Sequence, residues 1–262
     1  MSELLEIGDR IVALARPGEQ VEVVVGRATS TEVRAYDGQV EQFASATSAG
    51  VGVRVIAGNR QGFAYAGTLD ADVMAETLAE ARDNATFATD DEWLGLAEPD
   101  GLAVPALDLY RESLTRVSTD AKIDLALELE RAVRAADPRI TGVESADYAD
   151  GVSEGAVVST TGIRTYGRET SCYVAAHCVA ADGDDTQTGF GFSVGRTLDD
   201  LDVSVAAGDA ARRATRLLGA TKPASGRVTV VLDPYVTAQF LGIIGSTLSG
   251  EAVLKGRSLF AD

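Results

Sequence analysis

Apolar residues in the first sixteen positions recur with helical spacing. Leu4, Ile7, Ile11 and Leu14 share one face of residues 3–16, and Pro17-Gly18 supplies a stop just after Arg16. From residue 20 to 66 the pattern becomes that of strands. "VEVVVGRA" and "STEVRAYDGQVEQFASAT" are rich in Val, Thr and aromatic residues, with Asp37-Gly38 as a hairpin turn. "AGVGVRVIAGNRQGFAYAG" predicts two further strands that turn at "AGNRQG". Asp70 can then cap a helix running to about Ala85, with Val73, Met74, Leu78, Ala81 and Ala85 along one side.

Periodicity lapses over residues 88–110. This stretch holds six acids, no Lys or Arg, two prolines and the single Trp, the composition of a linker. It resumes in "STDAKIDLALELERAVRAAD", a helix capped by Ser118 or Thr119, carrying Ile123, Leu127, Glu130-Arg131 and Arg134, and ended by Pro138. Strand-like runs fill about 140–195. A helix from about 201 to Leu218 then closes on Gly219.

The two stretches match each other. "GFAYAGTLD" (62–70) and "GFGFSVGRTLD" (189–199) each give Gly-Phe-x-aromatic, a glycine and then Thr-Leu-Asp at a strand-to-helix junction. The pattern predicts a duplication: a strand meander covered by its own following helix, used twice. The predicted class is α+β.

Composition limits what such a chain does. With 40 acids against 23 bases the net charge is −17, which repels phosphate backbones and disfavours nucleic-acid partners. Arg212, Arg213 and Arg216 cluster, but Asp199, Asp200, Asp202 and Asp209 lie in the same segment. No apolar run approaches the roughly 18–20 residues of a membrane span, and "MSELLEIGDR" lacks the basic start of a signal peptide. Cys172 and Cys178 sit six residues apart in one strand-like run. At about 3.3 Å per residue they are roughly 20 Å apart, well beyond the roughly 7 Å limit for a disulfide. Buried thiols in a cytoplasmic protein are the expectation.

No catalytic constellation emerges from these residues. "GVGVRV" (50–55) and "GFGFSVG" (189–195) lie inside strands rather than opening a helix, so their glycines read as sites of close packing. His177 is the only histidine, and strand alternation turns its neighbour Cys178 to the other face. "DGDDTQTG" (182–189) lacks calcium-loop register and reads as a hairpin turn. Ser246 and Ser249 in "IGSTLSGEA" do not form a nucleophile elbow.

Taken in order, "GVGVRVIAGNRQGFAYAGTLD", "DGDDTQTGFGFSVGRTLDDLD", "AARRATRLLGA" and "SGRVTVVLDPYVTAQFLGIIGSTLSGEAVLKGRSLF" resemble the TldD/PmbA family, the modulators of DNA gyrase. The resemblance runs from near residue 20 to the C-terminus. It implies two related subunits that pair into a zinc metallopeptidase. The TldD type carries H-E-x-x-x-H on a helix and a later cysteine; the PmbA (TldE) type shares the fold without those ligands. Aligning "KGRSLF" with the family's "KGTSxF" puts the three motif positions at Leu241, Gly242 and Ser246, none a zinc ligand or a base.

The resemblance therefore implies a PmbA/TldE-like subunit with no catalytic, cofactor or metal residues of its own, so that the chain is part of an enzyme without being one alone. Zinc is expected in a TldD-type partner, and peptides or unfolded proteins as substrate. The rival expectation is a stand-alone peptide- or protein-binding module, with a gyrase-modulator role among its forms and homo-oligomers possible. The implied partition is an N-terminal α+β unit (1–95), an acidic linker (96–117), a second α+β unit (118–222) and the start of a β-rich third domain (223–262). That last domain should hold a strand, a helix and a stub, truncated relative to the family.

Overall fold

The computed structural model describes residues 2–102 and 105–261. Met1 and Asp262, the outer limits of the expected first and last segments, and Ala103 and Val104 in the expected linker lie outside the described residues. The chain divides into two compact units, Met1–Ala220 and Thr221–Asp262.

The larger unit opens with helix α1 (Glu3–Val12), which buries Leu4, Leu5, Ile7 and Ile11. It is shorter than its periodicity suggested, and Leu14 is exposed. The chain leaves the helix because a turn takes over, with the Arg16 amide donating to Glu19 at 2.8 Å. Strands β1 (Gln20–Tyr36), β2 (Gln39–Ala57) and β3 (Arg60–Ala66) follow. The strand-like runs "VEVVVGRA" and "STEVRAY" join into β1, with the polar "GRATST" as its middle. It stays extended because it is paired on both sides. Asp37 and Gly38, then Gly58 and Asn59, all take positive φ, the geometry of tight two-residue hairpins. Helix α2 (Ala71–Phe87) starts where Asp70 accepts a hydrogen bond from the Asp72 amide.

After α2, Trp93 lies on the surface, 87% exposed, and the stretch expected as a linker (96–117) contains a short helix, α3 (Glu112–Thr115). Helix α4 (Thr119–Ala136) is capped by the Ser118 hydroxyl. Strands β4 (Ile140–Ser159), β5 (Arg164–Asp182) and β6 (Asp185–Gly195) lead to helix α5 (Val203–Thr215). The second Thr-Leu-Asp does not cap α5 as its counterpart caps α2. It forms a 3-10 turn over Leu198–Asp200, and Asp202 caps α5 instead.

The strands join in one antiparallel six-stranded sheet of order β3-β2-β1-β4-β5-β6. Each half is helix, three-stranded meander, helix, and the first strands of the two halves pair along the centre, from Glu22↔Ser159 to Ala35↔Ala146. Side-chain alternation places α1, α2, α4 and α5 on one face. Val21, Val23 and Val25 anchor one core cluster there, and Val33 and Ala35, on the same face of β1, anchor the other.

Glycines set the helix-to-strand spacing at equivalent places. A Cβ on Gly62 would lie 1.9 Å from the Ala81 carbonyl oxygen and 2.4 Å from the Ala85 nitrogen; on Gly189 it would lie 2.2 Å and 2.4 Å from the same atoms of Ala210 and Ala214. Each glycine thus admits a helix backbone over an Ala-x-x-x-Ala face. The matching "GF" dipeptides owe their likeness to this contact.

The smaller unit holds α6 (Pro234–Thr247) and α7 (Gly250–Leu254). The strand expected in this segment, where "RVTVVL" (227–232) is the β-branched run, is not formed among the described residues. A strand exists through its ladder, and this run has no partner strand.

Candidate functional site

Helix α6 carries the three positions aligned with the family's metal motif. Asp233 starts it by accepting from the Tyr235 and Val236 amides, and Pro234 fits the first turn, where no amide proton is required. Leu241 lies at mid-helix, 62% exposed, beside Gly242. The Ser246 hydroxyl donates to the Ile243 carbonyl at 2.7 Å. A hydrocarbon, a hydrogen and a hydroxyl turned back on its own helix make no zinc donor set, so these residues do not fit the ion. Among the described residues no group of three His, Cys, Asp or Glu is placed to hold a metal. Ser249 caps α7, accepting from the Ala252 amide at 3.2 Å.

The other singled-out residues fall on opposite faces of the sheet. His177 is exposed on the face away from the helices, stacked on Phe190 with ring centroids 6.1 Å apart. Cys178 is buried on the helix side, as is Cys172, and both are free thiols. Burial pushes each thiol up to about 11, so neither is a nucleophile at neutral pH. In the "DGDDTQTG" turn, Asp185 accepts from the Gly219 amide at 2.6 Å and from Gln187 at 2.8 Å. These bonds draw its carboxyl below the usual range, and they tie the end of α5 to the hairpin.

A buried polar cluster escaped the sequence patterns. Lys122 on α4 pairs with Asp150 at 2.6 Å and donates to Thr31 at 3.0 Å, and the Tyr148 hydroxyl donates to Asp150 at 2.7 Å. Asp150 and Thr31 face each other in the central β1–β4 ladder, so the cluster pins α4 to the seam between the halves. Its groups satisfy one another, which marks a structural role. Linear spacing gave no signal, because the partners come from three separate elements.

The face without helices carries the clearest binding geometry. Gly50, Gly26, Gly155 and Gly167 lie in register across β2, β1, β4 and β5, a row without side chains. Beside it runs an open groove of about 690 Å³, lined in part by Val24, Gly52, Ser48, Phe63 and Tyr65. Phe63 and Tyr65 are 54% and 78% exposed. A glycine floor with aromatic walls suits contact with another polypeptide backbone.

Sequence profiles of one family match three consecutive parts of the chain. The PmbA/TldA metallopeptidase domain 1 matches residues 21–85, the central domain 112–218 and the C-terminal domain 225–262. The chain belongs to the TldD/PmbA family. Among its family relatives, the metalloprotease PmbA of Escherichia coli O157:H7 is 26% identical over 251 residues, covering 92% of this chain and 54% of that protein. The chain thus spans about half the length of that relative. Two solved structures share the fold. A candidate modulator of DNA gyrase from Bacteroides thetaiotaomicron superposes with a TM-score of 0.82 at 21% identity, covering 96% of this chain and 57% of that one. TldE from Thermococcus kodakarensis gives 0.66 at 19% identity, covering 80% and 46%. Among the described residues no helix is long and apolar enough to cross a membrane.

Proposed function

We propose that this chain is a PmbA/TldE-like subunit of a zinc metallopeptidase of the TldD–TldE type, which pairs with a TldD-type subunit and takes part in processing peptides without supplying the catalytic groups. The observation that carries this reading is the chemistry of α6. The helix has an N-cap, a proline start and the family's position in the chain, yet Leu241, Gly242 and Ser246 offer nothing to hold a cation or activate water. Membership in a family whose relatives are named metalloproteases supports the peptidase setting. A structure named TldE among those sharing the fold supports the choice of subunit type. Zinc, the general base and the hydrolytic step then belong to the partner. Reduced, buried Cys172 and Cys178 are in keeping with a cytoplasmic location.

The test is reconstitution. The chain and a TldD-type subunit are purified separately and mixed, and complex formation, zinc content and peptide cleavage are measured together. Zinc and turnover are expected to travel with the partner, and a stable complex to form on mixing. Stoichiometric zinc with peptide turnover by the lone chain would overturn the assignment.

A further inference from the structure

The two halves of the sheet finish their outer strands differently. β6 pairs with β5 only from Cys172 onward, so residues 164–171 extend past its end. The chain's own linker covers that stretch only at Thr170, and residues 164–169 and 171 stay exposed. The Thr170 amide donates to the Leu109 carbonyl at 3.0 Å, and the Arg111 amide donates to the Thr170 hydroxyl at 3.0 Å. The Arg196 guanidinium donates to the same Leu109 carbonyl at 2.9 Å, and Arg168 lies over the Tyr110 ring at 3.8 Å. Thr170 is fully buried beneath this cover.

In the first half the matching edge is bare. β3 pairs with β2 only from Val51, so residues 39–50 have β1 on one side and, among the described residues, no ladder on the other. Every residue from 39 to 48 is exposed. Gly62 pairs with Val55 and Gly189 with Cys178; eight positions before each partner stand Thr47 (55 − 8) and Thr170 (178 − 8). Thr47 is therefore the open counterpart of the covered Thr170.

This edge lacks the usual protection. Glu41 is the extra residue of a bulge at its start, and "QFASATSAG" (42–50) beyond it has no charge and no proline. The nearby cations are already matched, Arg34 by Asp147 and Arg27 by Glu154 and Glu3. Glu32, on the neighbouring strand, and Glu41 make no salt bridge among the described residues, so the field beside the edge is negative.

We propose that the outer edge of β2, residues 42–50, is a docking site for an extended cationic peptide that adds to the sheet as a further strand. Its backbone would bond to the open edge as the Leu109 carbonyl bonds to the Thr170 amide in the second half. Ala44, Ser45, Ala46 and Ser48 impose little side-chain selectivity, while Glu32 and Glu41 favour lysine or arginine. A second copy of this chain is a poorer occupant, since it brings another net charge of −17 and a second Glu41. The site stands on edge geometry alone and is independent of the subunit assignment.

Isothermal titration calorimetry tests it, using the chain and a peptide of about ten residues that alternates threonine or valine with lysine. Binding is expected, and N-methylation of alternate peptide amides should weaken it by about tenfold or more, the worth of one or two lost backbone hydrogen bonds. Thr47→Pro should have a similar effect, with circular dichroism checking that the variant is folded; the N-methylated peptide tests the same point on the unaltered chain. Replacing the peptide lysines by glutamate, or combining Glu32→Gln with Glu41→Gln, should also weaken binding. Equal binding of the N-methylated peptide would overturn strand addition, and equal binding of the glutamate peptide would overturn the charge preference. No measurable heat at millimolar peptide would remove the site. A dimer dissolved by Thr47→Pro would make the occupant a second copy and overturn the proposal as stated.

Discussion

Cys172 and Cys178 show how one residue's surroundings set its chemistry. Both thiols are held near 11 by burial, and the carboxylates of Asp200 and Asp150 add to the effect on Cys172. An unfolded thiol ionises near 9, so above that pH the unfolded chain sheds protons that the folded chain keeps. The stabilising contribution is therefore complete below about pH 9 and drains away between about 9 and 11. Urea midpoints should fall across that interval, and fall less in a Cys172→Ala/Cys178→Ala variant. An identical slope in both proteins would count against buried thiols. Inertness of the cysteines was legible in the sequence from strand alternation and spacing. The Lys122–Asp150–Tyr148 cluster was not, since Asp150 reads locally as one more acid in "YADGVSEG".

Among the elements, the helices were the most legible, because cap residues and apolar periodicity are local signals. Asp70 and Ser118 cap as their sequence context indicates. Strand boundaries were less so: β1 runs through its polar middle because neighbours on both sides hold it, and no local pattern reports a neighbour. Gly189 and Gly167 give a paired test of what strand glycines do here. An added Cβ at Gly189 collides with the backbone of α5, whereas at Gly167 it meets nothing within 4 Å. Gly189→Ala should cost at least about 2 kcal/mol by forcing α5 off the sheet. Gly167→Ala should stay within about 0.5 kcal/mol of the parent. Denaturant midpoints would distinguish them, and equal midpoints would refute the spacer role.

At the scale of the molecule, the duplicated units lie within one compact unit, sharing a sheet through the central β1–β4 ladder. The sequence indicated the duplication through its twin "GF…TLD" junctions, but not the fusion, which depends on pairings about 120 residues apart. Nor did it indicate that all four covering helices would take the same face, leaving the glycine row bare. The shared seam predicts that Met1–Ala220 unfolds in one cooperative step, with both core clusters lost together. Calorimetry resolving two transitions within that unit would show that the halves melt independently.

Trp93 decides how such experiments are read. The only indole in the chain sits on the surface after α2, 87% exposed, outside both core clusters. Its emission will change little when the interior comes apart, so a flat fluorescence trace would record the solvation of one side chain rather than a protein that resists denaturant.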